Sequence, residues 1–197
     1  MYKYYMFNKP CGCITARRDE RHKTVMDYFK DLANPNLAPV GRLDKETEGL
    51  LFITDDGMFN QYMTHPDYGI TKVYSFIAMG VLTEEKRKLL EEGVYITGSE
   101  KKTAPCTVRL TGTGVLKDVL KDLPEEIRRK TGHNRMDHPV FTAEISLAEG
   151  RKRQIRRMLK SVGCLVIYLK RICADGIWLD ENLQPGEWKE FTWEGKL

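Results

Sequence analysis

At 197 residues the chain is long enough to bury a proper core, and 41% hydrophobic with 30% charged residues fits a folded globular protein better than a disordered tail. The first ten residues carry tyrosines and two lysines with no long apolar run, which excludes a signal peptide or a membrane span there and points to the cytoplasm. The net charge of +4 is a weak attraction for a polyanion, so the distribution of charge matters more than its total.

Tyr4 to Phe7 alternate and then meet Asn8, Lys9, Pro10 and Gly12, a strand running into a turn. Five cysteines (Cys11, Cys13, Cys106, Cys164, Cys173) are an odd number at irregular spacing, which predicts reduced thiols; Cys11 and Cys13 have no second close pair to complete a zinc site. Thr24 to Leu32 places Val25, Tyr28, Phe29 and Leu32 on one helical face with Thr24 as N-cap, and Asn34 to Pro39 reads as a loop. In GRLDKETEGLLFITDDG, Gly41 to Gly57, a polar loop leads into a buried strand at Leu50 to Thr54 and a turn at Asp56 and Gly57. A helical stretch near Met58 to Thr64, a strand at Thr71 to Ala78, a surface helix from Glu84 to Glu92 stopped by Gly93, and strands at Val94 to Ile96 and Cys106 to Leu110 follow.

Lys117 to His138 turns polar and reads as an insertion, with a helix near Pro124 to Lys130 and a loop at Thr131 to Arg135. Phe141 to Leu147 resumes the strand pattern. Arg151 to Val162 is the clearest helix, with Ile155, Met158, Leu159 and Val162 as its apolar stripe and Gly163 as its stop; Val166 to Leu169 and Ile177 to Leu179 are the last strands. Runs of strands with occasional helices, without βαβ alternation, predict an α+β fold with a mixed, largely antiparallel sheet, in one catalytic domain spanning 1–197.

Three features invite chemistry. Asp44 sits in a polar loop between Arg42 and Lys45, just before a buried strand; the local pattern alone favours a turn cap over a nucleophile. Asp55 and Asp56 read as a turn and not a metal site. The run Gly150 to Lys160 holds six basic residues and no acidic one; at about 100° per residue Arg153, Arg156, Arg157 and Lys160 fall opposite the apolar stripe, which favours a phosphate-binding face over a solvated one. Arg128, Arg129, Lys130 and Arg135 form a second cluster for which solvation and RNA contact stay equally open. Tyr74 reads by itself as a core aromatic, although a tyrosine can also lay a flat ring against an extruded base.

Asn8-Lys9-Pro10, Gly41-Arg42-Leu43-Asp44 with Glu48-Gly49-Leu50-Leu51, Lys72-Val73-Tyr74, Glu149-Gly150 through Met158, and Leu169-Lys170-Arg171 occur in this order over nearly the whole chain. Taken together they resemble the RsuA/RluB/RluE family of ribosomal RNA pseudouridine synthases. The resemblance implies an extended sheet in two packed halves, a cofactor-free and metal-free isomerase, and ribosomal RNA or an assembling ribosomal subunit as partner. It implies Asp44 as catalytic aspartate, Tyr74 as the tyrosine stacking on the target base, and Arg156 as the arginine pairing with the aspartate. Arg42 would hold the RNA and Leu169 would line the uracil pocket. Lys9, Arg151, Lys152, Arg153, Arg157, Lys160 and Arg171 are the expected RNA contacts. With Met1 only a few residues before Asn8, no separate N-terminal RNA-binding domain is expected, which matches the short RluE-type members; these act on large-subunit RNA and the chain is expected to be a monomer. Two other readings are a non-catalytic RNA- or ribosome-binding protein, and a metal-dependent nuclease using Asp44, Asp55 and Asp56.

Overall fold

The computed structural model of the chain describes residues 2–131 and 136–195. In chain order the strands and helices are β1 (Tyr4–Lys9), a 3-10 helix (Val25–Leu32), β2 (Ala38–Pro39), β3 (Glu48–Thr54), α1 (Gly57–Thr64), a one-turn 3-10 helix (Pro66–Tyr68), β4 (Lys72–Met79), α2 (Glu84–Glu92), β5 (Thr107–Val115), α3 (Leu116–Leu120), α4 (Glu125–Lys130), β6 (Pro139–Leu147), α5 (Gln154–Ser161), β7 (Leu165–Ala174), β8 (Ile177–Trp178) and β9 (Trp188–Glu190). This is the α+β composition expected from the sequence. The chain divides into two compact units, Met1–Ile70 with Arg171–Leu197 and Thr71–Lys170.

In the first unit β1 pairs antiparallel with β3, Asn8 opposite Leu50, and on its other side with β9, Phe7 opposite Trp188. β3 is buried along all seven residues, as its continuous apolar run requires. One face of the sheet packs Met6, Leu50, Phe52, Phe59 and Ala174 together. A separate aromatic group joins Tyr5 and Phe7 to Phe29 and Trp188, with Phe29 stacked on Trp188 at 5.3 Å. Asp56 caps α1 by accepting from the Met58 and Phe59 amides, so the expected turn is the start of a helix.

The second unit has strand order β5-β6-β4-β7. β4 and β6 pair antiparallel over their whole lengths, Tyr74 opposite Ile145, and β5 pairs antiparallel with β6 through a bulge between Leu110 and Gly112. Phe76, Phe141, Ile145, Ile155, Met158, Leu159 and Leu169 build its core.

Three sequence expectations need correction. Val94 to Ile96 is not a strand: Val94 accepts from the Thr103 amide and donates to the Thr103 hydroxyl, a side chain standing where a ladder would place a second carbonyl. The chains come this close because residue 93 is glycine; a Cβ there would lie 2.2 Å from the Thr103 oxygen. The helix expected from Arg151 starts at Gln154, because Arg153 takes a left-handed conformation (φ 52°) that precedes the first turn. Val25–Leu32 is the short helix expected, with Thr24 as its N-cap, and is 3-10 in form. Lys117 to His138 is not simply polar surface, since Leu120, Leu123 and Ile127 are buried along it.

Candidate active site

Asp44 is half-buried on the loop before β3, and its backbone is held from several sides. The buried Thr15 hydroxyl donates to the Leu43 carbonyl at 2.8 Å and accepts from the Leu43 amide at 3.1 Å. The Thr47 amide donates to the Asp44 carbonyl at 3.0 Å, closing a turn, and the Gly12 amide holds Lys45 at 2.9 Å. Arg42 and Lys45 flank this carboxylate as exposed side chains, the position the sequence gives them.

Lys9 lies beneath this turn and is fully buried. Its ammonium donates to the carbonyls of Pro10 (3.0 Å), Lys45 (3.3 Å) and Thr47 (2.9 Å). Burial pushes its pKa below the ordinary lysine value; the neighbouring Cys13 and Cys11 thiols and the Glu48 and Asp44 carboxylates oppose that shift. The expectation that Lys9 contacts RNA is therefore corrected: its three donors are spent on backbone carbonyls. Arg171, also expected to contact RNA, is buried, with Nε donating to the Leu50 carbonyl at 2.7 Å.

In the second unit Tyr74 is half-buried against the core that contains the buried Leu169. Arg156 was expected on the exposed face of α5, but it is half-buried and Nη1 donates to the Val166 carbonyl at 3.0 Å. Arg157 is also half-buried and bonds the Lys152 carbonyl at 3.1 Å. Lys152, Arg153 and Lys160 are exposed.

Arg151, expected as a phosphate contact, is turned inward instead. It pairs with Glu149 and donates to the Ser99 hydroxyl (2.8 Å) and to the carbonyls of Lys101 (2.9 Å) and Lys102 (2.7 Å). Glu149 also receives the Ala104 amide at 3.0 Å and the buried Gln154 amide at 2.7 Å. Burial alone would raise the Glu149 carboxyl, but the bonds from Ala104, Arg151 and Gln154 hold it below the ordinary value. Of these holding groups Thr15 left no signal in the sequence; the Glu149-x-Arg151-x-x-Gln154 spacing is the trace of the second set.

Asp55 and Asp56 serve the fold. Asp55 accepts from the Lys3 amide and the Asn34 side chain, and Asp56 from the Tyr4 hydroxyl at 2.6 Å besides capping α1. Among the described residues no group of three or more His, Cys, Asp or Glu side chains converges as a metal site. All five cysteines are free, with Cys13, Cys164 and Cys173 buried, as expected. No helix among the described residues is long and apolar enough to cross a membrane. Arg128, Arg129 and Lys130 are exposed on α4, whereas Arg135 lies outside the described residues.

The model of the RNA pseudouridylate synthase family matches residues 3–161. The chain is 34% identical over 169 residues to ribosomal large subunit pseudouridine synthase B of Bacillus subtilis, covering 85% of this chain and 59% of that one. It is 29% identical over 192 residues to ribosomal small subunit pseudouridine synthase A of Salmonella typhimurium, covering 98% and 71%. The crystal structure of a pseudouridylate synthase superposes with a TM-score of 0.78 at 26% identity over 98% of this chain and 71% of that one. A model match over most of the chain, joined to the same fold, makes this an isomerase belonging to the RNA pseudouridylate synthase family. Within that family it falls in the RsuA/RluB/RluE group, the resemblance its motifs carry.

Proposed function

We propose that the chain converts a uridine of ribosomal RNA to pseudouridine with Asp44 as the catalytic carboxylate. The observation that carries this reading is the build of the Asp44 loop. A half-exposed carboxylate stands on a backbone fixed by Thr15, Thr47 and the buried Lys9, so it meets a substrate with little reorganisation to undergo. The isomerisation breaks the bond from the ribose to the ring nitrogen, turns the uracil and rejoins it through carbon 5, so no atom enters or leaves overall. Tyr74 supplies a flat ring to the extruded base and Leu169 an apolar wall, while Arg42 and Arg156 supply positive charge. Large-subunit RNA is the proposed substrate, supported by the higher identity to the large-subunit relative, and the protein acts as a cytoplasmic monomer.

The exposed cations Lys152, Arg153 and Lys160, with Arg157, hold the RNA through phosphates. Asp44→Asn keeps the size of the side chain and removes its charge and its nucleophilic oxygen. Turnover on ribosomal RNA, followed by mapping pseudouridine in large- and small-subunit transcripts, is expected to fall by at least about 10⁴-fold while RNA affinity persists. An Asn variant as fast as the parent makes Asp44 a turn residue and rejects the reading; pseudouridine confined to the small-subunit transcript moves the substrate.

A further inference from the structure

Tyr95 is a large aromatic that the fold leaves 61% exposed, outside the residues that the motifs mark. It opens the segment between α2 and β5, and three features make that segment more than a loop with a stray ring. First, it is fastened: Arg151 reaches back to Ser99, Lys101 and Lys102, Glu149 receives the Ala104 amide, and Val94 and Thr103 bond each other. Second, it is basic: Lys101 and Lys102 are exposed, and the Lys102 ammonium sits 5.8 Å from the centre of the Tyr95 ring, at the outer reach of a cation–π contact. Glu100 is the one exposed acid within this stretch.

Third, the segment abuts the phosphate-binding end of α5. The residues following Arg151 are the exposed Lys152 and Arg153, and the guanidinium of Arg157 lies beside Gly98, 3.6 Å from where a Cβ would stand. An exposed ring on a fastened loop, with one cation beside it and others along the loop and at the adjoining end of α5, is the combination by which proteins hold single-stranded nucleic acid: bases stack on the ring while cations follow the backbone. A duplex keeps its bases stacked inside and has no use for the ring.

We infer that Tyr95 is a stacking platform for an unpaired nucleotide flanking the target, and that Lys101 and Lys102 extend the α5 phosphate track along the same strand. The inference rests on the RNA-modifying reading for its partner, but it concerns a different set of residues.

The test measures the affinity of the full chain for a fluorescein-labelled single-stranded oligouridylate and for a blunt RNA duplex. Stacking on one base is worth about 1–3 kcal/mol, so Tyr95→Ala is expected to weaken single-strand binding by about 5-fold or more, with Tyr95→Phe restoring most of it. Duplex affinity should move by less than about 2-fold. Lys101→Gln with Lys102→Gln should flatten the salt dependence of single-strand binding by about 1.4 in log–log slope, at roughly 0.7 per lost contact. Leu89→Ala, at another exposed apolar position on α2, is the control and should leave affinity unchanged. Equal single-strand affinity for the parent and Tyr95→Ala, an absence of binding by both, or an equal loss on duplex and single strand overturns the platform. The parent's pseudouridine formation is scored in parallel. If it succeeds while Tyr95→Ala binds normally, only the platform fails; if it fails while Tyr95→Ala loses single-strand binding, only the enzymatic reading fails.

Discussion

The end of β1, beneath the Asp44 loop, and the approach to α5 each contain a basic residue that the sequence presents as a ligand for RNA, and in each the side chain turns inward onto carbonyls. Lys9 does so completely, with every donor on a carbonyl around the Asp44 turn, whereas Arg151 does so partly, holding 99–102 while Lys152 and Arg153 beside it stay in solvent. The difference teaches that a charge run is a mixture of two kinds of residue. A cation is buried only where several acceptors converge on it, since a lone buried charge is too costly. Beside Arg151, Lys152 and Arg153 remain exposed, where water solvates the charge at no such cost.

The comparison breaks most visibly at Lys9. Lys9→Met removes the cation and leaves the Pro10, Lys45 and Thr47 carbonyls without their shared donor, which should cost about 3 kcal/mol and lower the melting temperature by roughly 10 °C. The saturated rate of pseudouridine formation should fall as well, because the turn under Asp44 loses its anchor, while the salt slope of RNA binding stays at the parental value. A flatter slope would mean that Lys9 meets phosphate after all.

That difference between neighbours explains what the sequence could and could not reveal. The apolar run Leu50 to Thr54 and the stripe Ile155, Met158, Leu159 were legible because periodicity and hydrophobicity act locally, and both are buried in the fold. The fate of Lys9 was not, because two of its acceptors belong to residues 36 and 38 positions later. The late start of α5 was hidden for another reason: arginine is no natural left-handed residue, and Arg153 adopts φ 52° only in a setting where Arg151 and Glu149 already fix the chain before it. Asp44 was legible through the motif around it and not through its own surroundings, which alone suggested a turn.

A smaller effect is expected at Arg151. Arg151→Gln loses the pair with Glu149 and most of the bonds to 99–102, at about 1–2 kcal/mol, and amide hydrogen exchange in 99–104 should quicken. The pH dependence has a definite sign. The Glu149 carboxyl lies below its ordinary value in the folded chain, so its contribution is present above about pH 4.3, the unfolded glutamate value, and is lost as pH falls through the lower folded value. Acid should therefore loosen 99–104 in the parent and change Arg151→Gln less. Identical acid profiles for the two would show that the pair does not hold the segment.

The smallest effect is expected on α4, where the comparison is sharpened by a basic cluster with no inward member. Arg129 forms an i,i+4 pair with Glu125, but both side chains are well exposed, 77% and 64%, so water screens the attraction and side-chain entropy offsets much of the rest. Arg128 is exposed on the same helix, and α4 is held to the fold by the buried Ile127, which neither arginine supports. Arg128→Gln with Arg129→Gln should thus change stability by less than about 0.5 kcal/mol, within the scatter of a melting curve. What the pair then measures is RNA. If α4 lies off the strand's path, the salt slope of binding keeps its parental value, in contrast to the drop of about 2 expected when Lys152, Arg153 and Lys160 are neutralised together. A fall of about 1.4 on α4 would instead enrol both arginines as phosphate ligands, and being solvated would no longer separate this cluster from the start of α5.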